Sequence, residues 1–334
     1  RGLSIDILSA LVAISNLSTK ANVNSQVVVI GIDEETYKID PFRGTPRVMW
    51  TPQIAEVVQA LIESEAALIG FDVIFPTSVR KFIPDYERDF LKTLQETASK
   101  GKLVLGKVQH RDQPIAPEPA QSFAVGHSRN VRALNFQEDT DAIIRRVPTV
   151  FDSIYIDEKP VEVTSFSGEI AQRLILMDSV FSENHDGLVV PKKPTLLNFD
   201  LRKGAIPTFS FADIYECINT GRQDFLKKHF MGKAVLLGTV LDVEDRKLTS
   251  MRYAARSIGD PEKIRCLSTP ENIINVEIQK TRESISGVFV HATAINNLVF
   301  RNALRVVDHR SEILFNLALL VLVSLSVLKL PVKL

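Results

Sequence analysis

The chain has 334 residues, with 40 basic and 40 acidic side chains, a formal net charge of zero and 45% hydrophobic residues. At about 100–200 residues per domain, this length suits one large or two ordinary domains, and a charged fraction of 24% is typical of a folded protein. A zero net charge without Lys/Arg tracts produces no field that attracts phosphate backbones, which argues against nucleic acid as a partner. Two cysteines are too few for a disulfide-dense mini-fold or for a zinc module built from two CxxC motifs.

The first predicted element is an amphipathic helix over residues 2–17, with Asp6 among its polar positions. Its apolar residues recur at helical spacing: Leu3, Ile7, Leu8, Leu11 and Ile14. Taken alone, this pattern is typical of a helix that packs on its own domain. Because Arg1 is not an initiator Met and no leader pattern follows it, we expect the chain to begin inside a longer polypeptide.

Short apolar strands then alternate with helices. The predicted strands are 26–32, 67–71, 103–106, 130–136, 143–151, 196–199 and 234–237, and the predicted helices are 51–64, 85–99, 165–176, 211–219 and 288–300. Strands that are apolar on both faces and separated by helices indicate a parallel sheet with covered faces. The predicted fold class is therefore α/β, with a mainly parallel sheet flanked by helices, additional antiparallel strands and a long polar loop at about 242–286.

The last predicted element is a transmembrane helix at 311–330. Residues 313–330 read ILFNLALLVLVSLSVLKL, and an apolar helix of about 20 residues crosses the hydrocarbon layer. The alternative is a buried helix of a globular core, although such a helix usually carries a polar stripe. Basic residues lie on both sides of the segment and do not set its orientation. Since the chain stops at Leu334, we expect this end also to continue into a longer polypeptide.

Several predicted strands end in residues that a ligand could use. Asp33 and Glu34 follow the first strand, Asp72 the second and Thr239 the last. In open parallel sheets, ligands bind outside the carboxyl ends of the strands, so these side chains are expected to face one edge, with Asp33 and Asp72 at the ends of adjacent strands. Carboxylates that converge there suit a cation, an amine or a metal with oxygen ligands. The alternative is that the acids cap helices or anchor loops.

Other candidates are more isolated. Asp245 belongs to a charged cluster over residues 242–249, which is either a lid over the same edge or a solvated loop. His291 lies on an apolar helix, where a histidine is more often an interior, hydrogen-bonded residue than a catalyst. Cys217 and Cys266 are either one bridge or two separate thiols. The chain contains no HExxH, GxSxG, GxGxxG or GxxxxGK[ST] motif, and these absences argue against an enzyme.

An ordered series of motifs resembles the second class of CHASE domains, which are sensory extracellular domains associated with bacterial cyclases and histidine kinases. The motifs are VVVIGIDEET (27–36), TPRVMW (45–50), LIGFDVIFP (68–76), VGH (125–127), EDTDAIIRRVP (138–148), LNFD (197–200), FSFADI (209–214), GKAVLLGT (232–239) and SGVFVHATAINNL (286–298). Asp33, Arg47, Asp72 and His291 match motif positions, as ligand contacts or as residues that hold the fold. One departure is Ala142, since the family tends to have Gly after the second Asp of the acidic turn.

The resemblance implies a sensor domain over residues 21–305, outside the cytoplasm of a bacterial inner membrane. Residues 1–20 would be a juxtamembrane helix that continues a preceding transmembrane helix, and a cytoplasmic output domain would follow the span at 311–330. The sequence EDRKLTS (244–250), followed by a long insert and by ISGVFVHATAINNL (285–298), is most similar to members joined to adenylate or guanylate cyclases. Histidine kinase, Ser/Thr kinase and diguanylate cyclase outputs also occur in the family. An exported domain favours a bridge between Cys217 and Cys266.

The resemblance also implies partners. We expect a homodimer, a membrane, and a small-molecule or protein signal of unknown identity. No cofactor is expected within these 334 residues, whereas Mg or Mn with ATP or GTP would serve the output domain. Two rival functions stay open, an assembly module without ligand and an exported metal-dependent hydrolase with Asp33 as nucleophile and Asp72 and Asp245 as metal ligands.

Overall fold

The apolar runs form a parallel sheet in the computed structural model, which describes residues 2–16, 25–110, 112–156, 159–177, 190–199, 205–253, 263–267, 283–305 and 309–329. The strands are β1 (Val27–Ile32), β2 (Leu68–Asp72), β3 (Leu103–Lys107), β4 (Val131–Ala133), β5 (Gln137–Glu138), β6 (Ile144–Val147), β7 (Val150–Ile156), β8 (Lys159–Thr164), β9 (Thr195–Leu196), β10 (Thr208–Ser210), β11 (Ala234–Thr239), β12 (Arg246–Leu248) and β13 (Ser284–Ser286). The central sheet has the order β10-β1-β11-β2-β3-β4, and every neighbouring pair in it is parallel.

Helices cover both faces of this sheet. The helices of the described chain, in sequence order, are α1 (Gly2–Asn16), α2 (Thr51–Glu63), α3 (Arg88–Ser99), α4 (Pro119–Ala124), α5 (Phe166–Met177), α6 (Phe211–Asn219), α7 (Gln223–Phe230), α8 (Gly287–Val299) and α9 (His309–Lys329). Side chains alternate across a strand, so Val28 and Ile30 of β1 pack on one face with α2, α3, α6 and α7, whereas Val27 and Val29 pack on the other with α5 and α8. All six residues of β1 are buried as a result.

The predicted α/β class is confirmed, including the mainly parallel sheet and the extra antiparallel strands. The smaller sheets are β5-β6-β9, β7-β8 and β12-β13, all antiparallel. Two predicted strands are wrong in extent. The strand predicted at 130–136 stops at Ala133, because the Asn135 side chain bonds both backbone groups of Gln109 in place of a strand neighbour. The strand predicted at 143–151 breaks at Pro148, which has no N–H to donate to a ladder.

The loop predicted at 242–286 is also more ordered than expected. Its two ends pair as β12 and β13, and residues 263–267 dock on the domain, with Cys266 buried. The rest of that loop, residues 254–262 and 268–282, lies outside the described residues, as do residues 17–20 of the predicted juxtamembrane segment. The short strand β10 and the helix α7 are not among the predicted elements.

The chain divides into two compact units, residues 1–303 and residues 304–334. The second unit contains α9, whose described range matches the helix predicted from the apolar run. Among the described residues, however, no helix meets the length and apolarity required to cross a membrane. The C-terminal transmembrane helix predicted at 311–330 is therefore not confirmed.

The acidic turn between β5 and β6 holds Ala142 in the left-handed region, at φ 59°. The turn closes through hydrogen bonds from Ala142 N to Asp139 O (2.9 Å) and from Asp139 N to Ile143 O (3.0 Å). The turn therefore keeps a conformation that glycine adopts without strain, although this chain carries alanine there.

Replacing Ala142 by Gly is expected to stabilise the protein. The left-handed conformation costs about 1–2 kcal/mol for a residue with a Cβ, and the greater freedom of glycine in the unfolded chain offsets about 0.4–1 kcal/mol of the gain. Urea denaturation of A142G should show a free energy of unfolding about 0.5–1 kcal/mol above that of the parent. A142V should lie below the parent, because a branched side chain is worse at φ above zero; equal stability of all three proteins would contradict the strain.

Candidate functional site at the carboxyl edge of the sheet

The ends of β1, β11 and β2 place most of the predicted site residues at one edge. In the register, Ile32 pairs with Thr239, and Gly238 pairs with Asp72. Asp33 follows β1 directly, so Asp33, Asp72 and Thr239 lie at the carboxyl ends of three neighbouring strands. Asp33 and Asp72 themselves are not on adjacent strands, because β11 is inserted between β1 and β2.

The chain leaves these strands towards opposite faces of the sheet. After β1 it continues to α2, whose core cluster contains Val28 and Ile30, whereas after β11 it continues to α8, on the face of Val27 and Val29. A crevice opens between neighbouring parallel strands whose connections diverge in this way, and α/β proteins bind ligands at such crevices. The gap between the ends of β1 and β11 is therefore a candidate binding position.

Asp33 is already occupied by groups of the protein. Its Oδ1 accepts hydrogen bonds from Thr36 N (2.9 Å), Thr36 Oγ1 (2.8 Å) and Ser210 Oγ (3.1 Å). Its Oδ2 lies 2.8 Å from Lys263 Nζ, and the residue is 1% exposed. The carboxylate thus ties the end of β1 to β10 and to the long loop, as expected of a structural anchor.

The segment 263–267 is fastened along this edge by several bonds. Besides the contact of Lys263, Arg265 Nη1 lies 2.5 Å from Glu35 Oε1. The backbone N–H groups of Cys266 and Leu267 donate to the Asp213 carboxylate at 2.8 and 3.1 Å. Cys266 also forms a disulfide with Cys217 of α6, with the two Cα atoms 5.9 Å apart.

Polar contacts of Arg47 and Glu34 bridge the crevice between β1 and β11. Arg47 Nη2 donates to both carboxylate oxygens of Glu244, at 2.6 and 2.7 Å, and Arg47 Nη1 lies 3.5 Å from Thr239 Oγ1. Glu34 Oε1 accepts from Asp242 N at 2.7 Å. The loop after β11 is therefore held to the loop after β1 and to the turn before α2.

Asp72 points to the other face and meets His291 of α8. Asp72 Oδ1 lies 3.6 Å from His291 Nε2, while His291 Nδ1 shares a 2.7 Å hydrogen bond with Ser167 Oγ. The imidazole packs between Phe136 and Phe166. Within the described part of the chain, Asp72 Oδ2 and His291 Nε2 have no hydrogen-bond partner.

Burial dominates the electrostatics of this pair. Removal from water, reinforced by the negative charge of Asp245, raises the pKa of Asp72 well above its ordinary range. Burial, with a contribution from the positive charge of Lys247, lowers the pKa of His291 to about 3. Both shifts favour the uncharged forms of the Asp72 carboxyl and the His291 imidazole.

Asp245 lies at the start of α8. Gly287 N donates to Asp245 O at 2.9 Å, and a Cβ on Gly287 would lie 2.1 Å from a carboxylate oxygen of Asp245, so a larger residue there would displace the Asp245 side chain. A negative charge at a helix N-terminus is favourable, and Lys247 Nζ lies 3.0 Å from the same carboxylate.

The geometry does not favour the hydrolase interpretation. Asp33 is bonded to Lys263, and Asp72 lies beyond β11 against His291. Among the described residues, no three His, Cys, Asp or Glu side chains are grouped so as to hold a metal ion.

A second polar cluster, which the sequence analysis does not include, joins α1 to the acidic turn. Arg145 of β6, with 1% of its side chain exposed, donates from Nε and Nη2 to the two Asp6 carboxylate oxygens, both at 2.8 Å. Arg145 also donates to Asp139 and to both oxygens of Asp141 at 2.8 Å, and Arg252 Nη2 lies 3.0 Å from Asp6. We call these five residues the arginine clamp.

The arginine clamp joins α1 to β6 through ion pairs around a buried arginine. Its hydrogen bonds from Arg145 lower the pKa of Asp141 to about 2. Removing one partner of a buried ion pair typically costs about 3–5 kcal/mol, because the other charge stays buried. The sequence signal for it was an isolated acid, Asp6, on an apolar helix, but its partner is 139 residues away.

The residues at the edge and the motifs around them match one known family. A family model described as the CHASE2 domain matches residues 4–328. The chain belongs to the CHASE2 family. CHASE2 domains are extracellular sensory domains of signalling receptors, which agrees with a position outside the cytoplasm. No curated protein and no solved structure matches the chain.

The buried pair should impose opposite pH dependences on stability. The folded state prefers protonated Asp72, so this preference stabilises the fold at low pH and is lost as the pH rises through the raised pKa. The folded state also prefers neutral His291, so stability is lost as the pH falls from 6.5 towards 3.

Substitutions separate the two effects. Relative to the parent, the free energy of unfolding of D72N is expected to increase as the pH rises from 4 to 9. Relative to the parent, the free energy of unfolding of H291Q is expected to increase as the pH falls from 6.5 to 3, by about 1.4 kcal/mol for each pH unit. Urea denaturation across this pH range measures both, and parallel curves for parent and variants would contradict the assignment of neutral forms.

Proposed function

We propose that this chain is the sensory and membrane-attached part of a bacterial receptor that regulates a cytoplasmic adenylate or guanylate cyclase. The observation that carries the proposal is the CHASE2 match over residues 4–328. The choice of a cyclase rests on the wording of the motifs at 244–250 and 286–298, which is most similar to cyclase-linked members.

An extracytoplasmic position is supported by the disulfide between Cys217 and Cys266. Such bonds form and persist in oxidising compartments such as the periplasm, and are rare in the reducing cytosol. Attachment to the inner membrane is supported by the apolar side chains of α9. The large apolar side chains from Ile313 to Val323 are each at least 45% exposed. Exposed apolar surfaces of this kind mark sites of interaction.

The signal would travel through α1 as well as through the C-terminal helix. The arginine clamp fastens α1 to β6, so a displacement of the domain is transmitted to the helix that would continue into the membrane. We further propose a homodimer, since class III cyclases build their active sites between subunits. A signal then acts by binding one of two dimer arrangements more tightly than the other.

The proposed topology is tested by labelling of intact cells. The parent has no free cysteine, so S128C would provide a single exposed thiol. A membrane-impermeant maleimide is expected to label S128C before lysis, and the buried control S64C is expected to stay unlabelled. Labelling of S128C only after lysis would contradict a position outside the cytoplasm.

The proposed output is tested with the complete polypeptide to which this chain belongs. Membranes from cells without cyclases of their own should form cyclic AMP or cyclic GMP from ATP or GTP with Mg or Mn. Formation of neither nucleotide, together with transfer of phosphate from ATP to protein, would replace the cyclase by a histidine or Ser/Thr kinase.

A further inference from the structure

We propose that the crevice between the ends of β1 and β11 binds an anionic ligand through Arg47, and that Glu244 occupies Arg47 when the ligand is absent. This inference names the ligand chemistry of the proposed sensor and therefore rests on the proposed function. The ligand would present a carboxylate or a phosphate group, since both offer two oxygens to one guanidinium.

The position of Arg47 is the first argument. Arg47 lies in the turn just before α2, and its guanidinium reaches across to Thr239, the last residue of β11. This is the crevice at which the connections of β1 and β11 leave towards opposite faces of the sheet, where α/β proteins bind ligands.

The chemistry of the contact is the second argument. Two oxygens of Glu244 meet Nη2 of Arg47 at 2.6 and 2.7 Å, which is the recognition of a carboxylate by a guanidinium. Glu244 thus shows what the position accepts. A free carboxylate or phosphate would make the same contact and find Thr239 Oγ1 beside it.

The exposure of the pair is the third argument. The side chains of Arg47 and Glu244 are 30% and 39% exposed, and such pairs contribute little to stability. Glu244 belongs to a loop in which Val243 is 89% exposed and Asp245 adopts φ 50°. Arg47 and the contact of Asp242 N with Glu34 both hold this loop across the crevice, so a ligand that replaces Glu244 releases a contact that restrains the loop.

Two cations of the segment 263–267 are less available than Arg47. Lys263 and Arg265 contact carboxylates of residues that are 1% and 6% exposed, Asp33 and Glu35, and a ligand would have to strand these buried charges to bind there. Arg47 can exchange its partner without leaving a buried charge behind, because the released Glu244 moves into water.

The test measures binding of two probes, inorganic phosphate and malonate, to the purified 334-residue chain in detergent micelles. Isothermal titration at constant ionic strength is expected to show one site in E244Q with a Kd at least tenfold below that of the parent for one or both probes. Adding R47Q to E244Q should abolish this binding. Phosphate alone, malonate alone or both would identify the chemistry that the site accepts.

A matched control removes another acidic partner of a surface arginine. Arg88 Nη2 lies 2.7 Å from Asp85, and both side chains are mostly exposed. D85N therefore releases the guanidinium of Arg88 on the open surface, outside the crevice. The proposal is overturned if E244Q binds neither probe or binds no more tightly than D85N. E244S is a second variant at the same position. The circular dichroism spectra of E244Q and E244S should both match that of the parent, which shows that neither substitution affects folding.

This experiment and those of the proposed function fail separately. Anion binding is measured without an output domain or a membrane. A titration that shows no anion binding would contradict the anion site only, since the topology and the cyclase output have tests of their own. Labelling of S128C only after lysis would contradict the proposed topology but not a measured anion site.

Discussion

Parallel pairing of the central strands is the constraint on which the rest of this structure depends. Because β10, β1, β11, β2, β3 and β4 all run in one direction, their carboxyl ends meet at one edge. Each connection must then return along one face of the sheet, so the strands are buried on both sides. Polar side chains are therefore found mainly at the ends of the strands. The acids that follow β1 and β2 are a direct consequence, and so is the crevice at which the connections diverge.

Charges near this edge meet the cost of burial in different ways. Around Asp33, Lys263 and the hydroxyl groups of Thr36 and Ser210 replace water. Asp72 instead favours its neutral form beside neutral His291. The Arg47–Glu244 pair stays partly in water and carries little of the fold. The first two arrangements secure the domain, and the third leaves a contact that a ligand can exchange.

The structure also connects the edge with the N-terminal helix. The arginine clamp holds Asp6 of α1 to Arg145 of β6, and Ile144 and Val147 of β6 pack in one apolar cluster with Val290 and Ala294 of α8. The same helix α8 carries His291 against Asp72 and begins beside Asp245. A continuous set of contacting elements therefore extends from α1 to the carboxyl edge.

The sequence by itself determined the class of the fold, most of its elements and the polar character of the strand ends. Runs such as 27–32 and 234–238 contain only apolar residues and glycine, which indicates burial on both faces. The motif order also identified the family. The break of the strand at Pro148 has a local cause, the missing N–H, although the sequence analysis predicted one strand across it. In each case the information lies within a few neighbouring residues.

Only the tertiary structure decided which residues meet. It inserted β11 between β1 and β2, which separates Asp33 from Asp72, and it brought Lys263 and Arg265 from a polar loop onto Asp33 and Glu35. It joined Asp6 to Arg145 across 139 residues and Arg265 to Glu35 across 230. Periodicity reports whether a side chain is buried but not by what, because strand order and ion-pair partners depend on the path of the whole chain through space.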